Sequence, residues 1–167
     1  MLVIGIDPGT ETTGYGIVSE NDAGDLTPVC FGVIKTSKEK SPAQRLQKIY
    51  KELNEILLLN NPMSGAVEKL FFQRNVSTAI AVGQARGVIL LALNGSNLDV
   101  AEYTPNEVKQ SVTGYGNADK KQVQEMVKIL LGLDVIPRPD DAADALAIAI
   151  CHLRHQKLKS ITEGNGI

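Results

Sequence analysis

The stretch IGIDPGTETTGYGIV, residues 4–18, opens the 167-residue sequence and decides how the fold begins. The apolar run from Leu2 to Ile6 is short and uninterrupted, which is typical of a strand buried on both faces. Asp7 ends this run, and a Pro-Gly turn follows it directly. A carboxylate at this point, beside a loop rich in glycine and threonine, can bind a metal, lie beside a phosphate or cap a turn. We expect more distant parts of the sequence to decide among these roles.

Further strands are predicted before the first helix. They run from Gly14 to Val18 and from Val29 to Ile34, and the polar loop SENDAGD between them indicates a hairpin. After this hairpin, helices and strands alternate, which predicts parallel strands beside the antiparallel pair. The predicted fold class is therefore α/β, with a five-stranded mixed β-sheet flanked by helices on both faces. The remaining predicted elements are a helix capped by Ser41, a strand at Gly65–Glu68, a helix at Val76–Leu93, a strand at Leu98–Tyr103, and helices at Pro105–Val112, before Gly132 and at Asp141–Arg154.

Size and composition are those of an ordinary globular protein. The chain is 43% hydrophobic and 22% charged, with a formal net charge of −2, and its length suits one domain. We predict that this domain spans residues 1–154 and that residues 155–167, which are polar and basic without helical periodicity, form a flexible tail. The overall charge argues weakly against a nucleic-acid-binding domain. Residues 69–98 nevertheless contain no Asp or Glu, which permits a local positive field there.

Several features predict a cytoplasmic protein. The N-terminus has no basic region before its short apolar run, so it does not resemble a signal peptide. The most apolar segment, Ala79 to Leu93, includes Gln84 and Arg86, which indicates a core or interface helix rather than a membrane span. Cys30 and Cys151 lie far apart in apolar runs, and we interpret them as buried free thiols in a reducing compartment.

Acidic residues recur at the ends of the predicted elements. Glu68, like Asp7, follows a short apolar strand, and adjacent parallel strands would place both carboxylates at one rim of the sheet, where sites form in open α/β folds. Asp141 and Asp144 are three apart at the start of the last helix and therefore share a face. The alternative for each acid is a helix cap or a partner of the helix dipole, and spacing does not distinguish Asp140 from Asp141.

Convergence of these acids would have a chemical consequence. Carboxylates that meet without a basic partner repel one another unless a cation lies among them. Oxygen ligands favour Mg²⁺ or Mn²⁺ over zinc. A pair of such ions with open coordination positions can activate water and stabilise the leaving oxygen of a phosphodiester. The residues themselves therefore indicate magnesium-dependent phosphoryl transfer, provided that the acids meet.

Four blocks of the sequence together resemble the RuvC family of Holliday-junction resolvases. They are IGIDPGTETTGYGIV, VEKLFFQRN with GQARGV, VKQSVTGYGNADKKQV and DAADALAIAI, in the order in which the family has them. The resemblance implies a ribonuclease-H-like fold and a homodimer that nicks two opposed strands of a four-way DNA junction, leaving 5′-phosphate and 3′-hydroxyl ends, in recombination and DNA repair. It also implies a branch-migration motor of the RuvA and RuvB type as a partner, in the bacterial cytoplasm at the nucleoid.

The resemblance also implies which acids act. The catalytic and metal-binding residues would be Asp7, Glu68, Asp141 and Asp144, with Asp7 shared between a pair of ions. The DAADAL context thus places Asp141 rather than Asp140 in the site. The implied cofactor is Mg²⁺, for which Mn²⁺ can substitute.

DNA contacts are implied for an aromatic residue and for several basic ones. Phe71 would stack on an unpaired base at the crossover, Lys120 would approach the scissile phosphate, and Lys109 would contact the backbone. The alternatives are a core position for Phe71 and a solvated helix face for the lysines. Lys121 could share the role of Lys120, and Arg74 is a further DNA-binding candidate.

Dimer contacts are implied for the helix Val76–Leu93. Gly83 and Gly87 form a small-xxx-small face there, for which close packing within one chain is the alternative. The threonine-rich loop after Asp7 is expected to line the groove beside the DNA backbone through its hydroxyls and amides, and Tyr115 is a further candidate for a DNA contact.

Other classes of protein share parts of this pattern. ATPases related to actin, Hsp70 and sugar kinases open with a similar strand and loop, but they hold the nucleotide between two such domains, for which this chain is too short. A non-catalytic junction-binding module would gain by losing negative charge near phosphates, whereas this sequence has all four acids. Another nuclease of the same superfold is a third possibility, and the VKQSVTGYGNADKK block argues against it.

Overall fold

The computed structural model describes residues 1–69 and 76–164. Its strands are β1 (Leu2–Asp7), β2 (Thr12–Glu20), β3 (Leu26–Lys35), β4 (Ser64–Glu68) and β5 (Asp99–Tyr103). They form a five-stranded sheet in the order β3-β2-β1-β4-β5. β1 pairs antiparallel with β2, and β2 with β3, whereas β4 lies parallel to β1 and β5 parallel to β4. The predicted mixed sheet is confirmed.

Helices cover both faces of this sheet, as predicted. They are α1 (Pro42–Asn60), α2 (Val76–Gly95), α3 (Pro105–Thr113), α4 (Lys120–Leu130) and α5 (Asp140–Gly164). Successive residues of a strand point to opposite faces, so Ile4 belongs to the core under α1 and α2, while Val3 belongs to the core under α3, α4 and α5. Both faces of β1 are therefore buried, which is why its sequence is apolar without alternation.

Three helices begin with the same arrangement of capping side chains. At α1 the Ser41 hydroxyl accepts a hydrogen bond from the Gln44 backbone N–H, which confirms the predicted cap, and the Gln44 side chain accepts one from the Ser41 N–H. Equivalent capping boxes begin α3 at Thr104 and α4 at Asp119. The cap at Asp119 fixes Lys120 as the first residue of α4.

The last helix is longer than its sequence pattern predicts. α5 begins at Asp140 and continues to Gly164, so the predicted end of the helix at Arg154 is wrong. The flexibility of the tail stays a prediction. Residues 157–162 are exposed, and exposed helix shows no apolar periodicity in sequence. Local hydrogen bonds continue to the end, where the Thr162 hydroxyl donates to the carbonyl of Leu158.

α2 combines a buried side with an exposed apolar side. Among the described residues it alone is long and apolar enough to span a membrane, over Thr78–Gly95, by length and composition only. One side of it packs into the core beside α1, and Arg86 pairs with Glu102 at 2.6 Å. The outer side exposes Ile80 and Leu91. Cys30 and Cys151 are free thiols, as predicted, and Cys151 is buried, but Cys30 is only partly buried.

Candidate active site

Two of the predicted acids lie at neighbouring strand ends. β1 and β4 run parallel with Ile6 opposite Val67, so the next residues along the two strands, Asp7 and Glu68, end them side by side. Each acid is the last residue of its strand and is partly exposed, because the chain leaves the buried sheet at that point. The predicted placement of both acids at one rim is confirmed.

The start of α5 lies against this rim because glycines remove the side chains between helix and sheet. A Cβ added to Gly14, the residue paired with Asp7, would lie 2.0 Å from the carbonyl oxygen of Asp141. A Cβ added to Gly5 would lie 2.3 Å from the carbonyl oxygen of Ala145. The backbone of α5 therefore touches the backbone of the sheet, and the first turns of the helix are held beside Asp7.

The electrostatics of the acids show that they interact. Burial, followed by the charges of Glu68, Asp144 and Asp141, raises the pKa of Asp7 to about 8, against a lowering effect of Lys120. Burial and then the charge of Asp144 raise the pKa of Glu68 to about 7. Burial also raises the pKa of Asp144. The neighbouring lysines therefore do not compensate the negative charge of the cluster.

A cleft of about 200 Å³ brings acids and lysines together. Lys120 Nζ lies 3.0 Å from Asp144 Oδ2 and 3.5 Å from Asp140 Oδ2. Lys109, on α3, lies along the same cleft. The residues that line it are Asp7, Glu68, Pro105, Val108, Lys109, Lys120, Val123, Asp144 and Ala147.

The donor set suits a hard divalent cation. The acids of the cluster offer only carboxylate oxygens, the ligands that Mg²⁺ and Mn²⁺ prefer, and burial without sufficient positive charge favours the binding of a cation there. Within residues 1–69 and 76–164, no three His, Cys, Asp or Glu side chains are arranged as metal ligands. Asp144 instead pairs with the Lys120 ammonium.

Some predicted residues lie elsewhere. Phe71 and Arg74 fall outside the described residues. Lys121 lines a different groove, together with Tyr115, and not the acid cleft. The Thr13 hydroxyl is buried and donates to the Gly9 carbonyl, so the expectation that the threonine hydroxyls face the groove is wrong at this position.

Sequence reasoning left open the role of one residue that borders the site. Asp140 pairs with Arg138 and lies 3.5 Å from Lys120, although it is not part of the cleft wall. The doubled aspartate in RPDDAAD was its only signal, and the partner on α4 lies 20 residues away in sequence. Spacing along one helix could not reveal a contact between two helices.

The chain matches the family model described as crossover junction endodeoxyribonuclease RuvC over residues 3–152. A crossover junction endodeoxyribonuclease RuvC from Syntrophomonas wolfei is 51% identical over 165 residues, covering 99% of this chain and 95% of that protein. The Thermus thermophilus RuvC structure matches with a TM-score of 0.88 and 37% identity, over 95% of this chain and 97% of that one. T. thermophilus RuvC in complex with Holliday junction substrate matches with a TM-score of 0.87 and 35% identity, over 95% and 96%.

Proposed function

Because the chain belongs to the RuvC family of crossover junction endodeoxyribonucleases, it is an endonuclease that resolves Holliday junctions, and we propose that the cleft at Asp7 is where it cuts the DNA. One observation carries the proposal: Asp7, Glu68 and Asp144 interact in one cleft that also holds two lysines. This combination offers oxygen ligands for cations and ammonium groups for a phosphate. The nuclease domain would lie within residues 1–154.

The family is metal-dependent, and we propose Mg²⁺ as the cofactor, with Mn²⁺ as a substitute and a pair of ions in each site. Asp7, Glu68, Asp141 and Asp144 would hold the ions, with Asp7 shared between them. When bound, the ions supply Lewis-acid chemistry that favours attack of water on the phosphodiester and stabilises the leaving oxygen. The products would be 5′-phosphate and 3′-hydroxyl ends.

The basic residues of the cleft would orient the DNA. Lys120 projects from the first turn of α4 into the cleft, so its ammonium would contact the scissile phosphate, while Lys109 would hold the neighbouring backbone. Phe71, three residues beyond Glu68, would stack on an unpaired base at the crossover, and Arg74 would make a further contact with the DNA. Lys121 lies on the neighbouring groove and would contact an arm of the junction rather than the cut site.

A synthetic four-way junction tests the proposed reaction directly. We expect Mg²⁺-dependent nicks at symmetric positions in two opposed strands, far slower cutting of a linear duplex with the same sequence, and no nicks in EDTA. Mn²⁺ should restore nicking. Binding of the junction without nicks would indicate a binding module, and equal cutting of both substrates would indicate a nuclease without junction specificity.

We further propose a homodimer in which α2 of one protomer faces α2 of the other. The outer side of α2 exposes 59% of Ile80 and 61% of Leu91, and a Cβ added to Gly87, between them, meets no atom within 4 Å. A two-fold junction needs two sites related by a two-fold axis, which such an interface supplies.

The oligomeric state tests this interface. Leu91→Lys should shift the protein from dimer to monomer in sedimentation experiments and uncouple the paired nicks. Leu58→Lys is the matched control, because Leu58 is 82% exposed on α1 and lies outside the proposed interface. A dimer that survives Leu91→Lys would place the contact elsewhere.

Two further proposals rest on the resemblance to the family. One is a branch-migration motor of the RuvA and RuvB type as a partner, and the other is a place at the nucleoid in the cytoplasm.

A further inference from the structure

Lys120 is shared between an acid inside the cleft and an acid at its edge. Its ammonium lies 3.0 Å from Asp144, which lines the cleft, and 3.5 Å from Asp140, which does not. The Lys120 side chain is 55% exposed, against 33% for Asp144 and 41% for Asp140. The ammonium therefore stands at the mouth of the cleft, with one partner on the side of the cluster and the other on the side of the solvent.

Lys120 and its two acidic partners all lie near the starts of helices. Lys120 is the first residue of α4, directly after the Asp119 cap, and both acids lie in the first two turns of α5. A second cation, Arg138, pairs with the other carboxylate oxygen of Asp140. Asp140 is thus held on one oxygen and accepts Lys120 on the other, so its orientation does not depend on Lys120.

The contact with Asp144 conflicts with metal binding at the same carboxylate. A divalent cation bound by Asp144 repels an ammonium 3 Å from that carboxylate, and the lysine must move. A lysine side chain is long and flexible enough to pivot between acceptors. With Asp144 as its only partner, the displaced ammonium would be free to leave the cleft.

We propose that Lys120 is a built-in counter-ion of the acid cluster and that Asp140 is the positioning residue that keeps it at the mouth of the cleft when a metal ion takes Asp144. The inference rests on the proposed metal site. It adds a role for Asp140, which is not among the proposed metal ligands. Asp140 would act on the reaction only through Lys120, by retaining the ammonium where it can meet a phosphate.

A double-mutant cycle on metal affinity tests the coupling. Mn²⁺ binding to the full-length, DNA-free protein is measured by calorimetry for the wild type, Lys120→Met, Asp140→Asn and the double variant. Lys120→Met removes the competing cation and should tighten binding about fivefold, while Asp140→Asn should weaken it about threefold, as expected for partly exposed charge pairs. In the Lys120→Met background, Asp140→Asn should have little further effect.

The double variant distinguishes retention of Lys120 by Asp140 from direct attraction of the metal ion by the charge of Asp140. If Asp140 only adds negative potential, Asp140→Asn weakens Mn²⁺ binding equally in both backgrounds, and the proposal is overturned. Glu125→Gln is the matched control, because it removes a carboxylate from the same helix as Lys120 but faces the Tyr115 groove. Unchanged melting temperatures in EDTA would show that the variants are folded.

Amine acylation followed by mass spectrometry measures the reactivity of each lysine side chain. This measurement depends neither on a binding constant for the metal nor on nuclease activity. In the wild type, Lys120 should stay less reactive than its neighbour Lys121 both with and without Mg²⁺. In Asp140→Asn, addition of Mg²⁺ should raise the reactivity of Lys120 severalfold. Full reactivity of Lys120 in wild-type protein with Mg²⁺ would contradict retention by Asp140.

The outcomes of the Mn²⁺ measurement distinguish failure of this inference from failure of the proposed metal site. If the wild type binds no Mn²⁺, the proposed metal site fails and this inference fails with it. Normal Mn²⁺ binding without coupling between Lys120 and Asp140 overturns the inference alone.

Discussion

α5 carries two polar regions with opposite properties. At its start, Asp144 shares a cleft with Asp7 and Glu68, and burial, with added repulsion from neighbouring acids, raises the pKa of each of the three. Two turns further along, His152 is 1% exposed in the core, and burial lowers its pKa to about 4, with a smaller contribution from the charge of His155. The acid region at the rim of the sheet carries negative charge that its neighbours do not balance, whereas the histidine region is uncharged and enclosed in the core.

The hydrogen bonds explain the difference. His152 Nε2 lies 2.9 Å from the Ser64 hydroxyl, and Nδ1 lies 3.0 Å from the Tyr103 hydroxyl. A neutral imidazole has one donor and one acceptor, and both are used here. The histidine region is complete as it stands, whereas the acid region becomes neutral only when a proton or a metal ion binds. Buried polar groups with every partner in place indicate structure, and buried charge without enough partners indicates function.

Loss of one acid should affect the reaction most. Asp7→Asn removes a carboxylate at the centre of the cluster, and we expect junction nicking to fall about 1,000-fold, the effect of losing several kcal/mol of transition-state stabilisation. Junction binding, measured by gel shift, should be retained. His152→Gln, in the other region, should nick at nearly the wild-type rate. Near-normal nicking by Asp7→Asn would remove Asp7 from the mechanism. The acid region would then be no more functional than the histidine region.

The acid region should make the metal-free protein less stable at higher pH. The folded pKa of Asp7, about 8, lies above the ordinary value of 3.8, so folding takes up a proton, and this stabilisation is complete below pH 4 and is lost as the pH rises to 8. Between pH 5 and 8 in EDTA, the wild type should lose about 3 kcal/mol of unfolding free energy relative to Asp7→Asn. Urea unfolding of both proteins measures this difference, and equal losses would contradict it.

The histidine region should have the opposite pH dependence. The folded pKa of His152, about 4, lies below the ordinary value of 6.5, so its stabilisation is complete above pH 6.5 and is lost as the pH falls toward 4. Relative to His152→Gln, which cannot titrate, the wild type should lose about 2 kcal/mol between pH 7 and 4.5. Thermal or urea unfolding at both pH values tests this, and a parallel decline of the two proteins would count against it.

The smallest effect is expected at the edge of the histidine region. Tyr103→Phe removes one hydroxyl and leaves Nδ1 of His152 without its partner, which should cost about 1–2 kcal/mol of unfolding free energy. Nicking by the folded variant should be unchanged at a temperature well below its melting point. A large loss of activity without loss of stability would instead link the histidine region to the acid site.

The sequence predicted the features that depend on local patterns. Buried runs, capping residues and the strand-end position of Asp7 and Glu68 all follow from short-range rules, and the sheet and the shared rim agree with them. The end of α5 was missed because exposed helix has no apolar period. The contact of Lys120 with Asp140 depends on how α4 packs against α5, and the burial of the Thr13 hydroxyl depends on the shape of one turn. Neither has a local signal.

The contact between the glycines of the sheet and the backbone of α5 has a genetic consequence. Every missense change at the codons of Gly5 and Gly14 adds at least a Cβ, which would meet backbone atoms at 2.3 Å and 2.0 Å. Alleles with such changes should behave as null or temperature-sensitive for recombinational repair, although neither residue has a side chain that could take part in the chemistry. A map of mutational tolerance would therefore mark a line of invariant positions beneath the helix, running from the core to the rim.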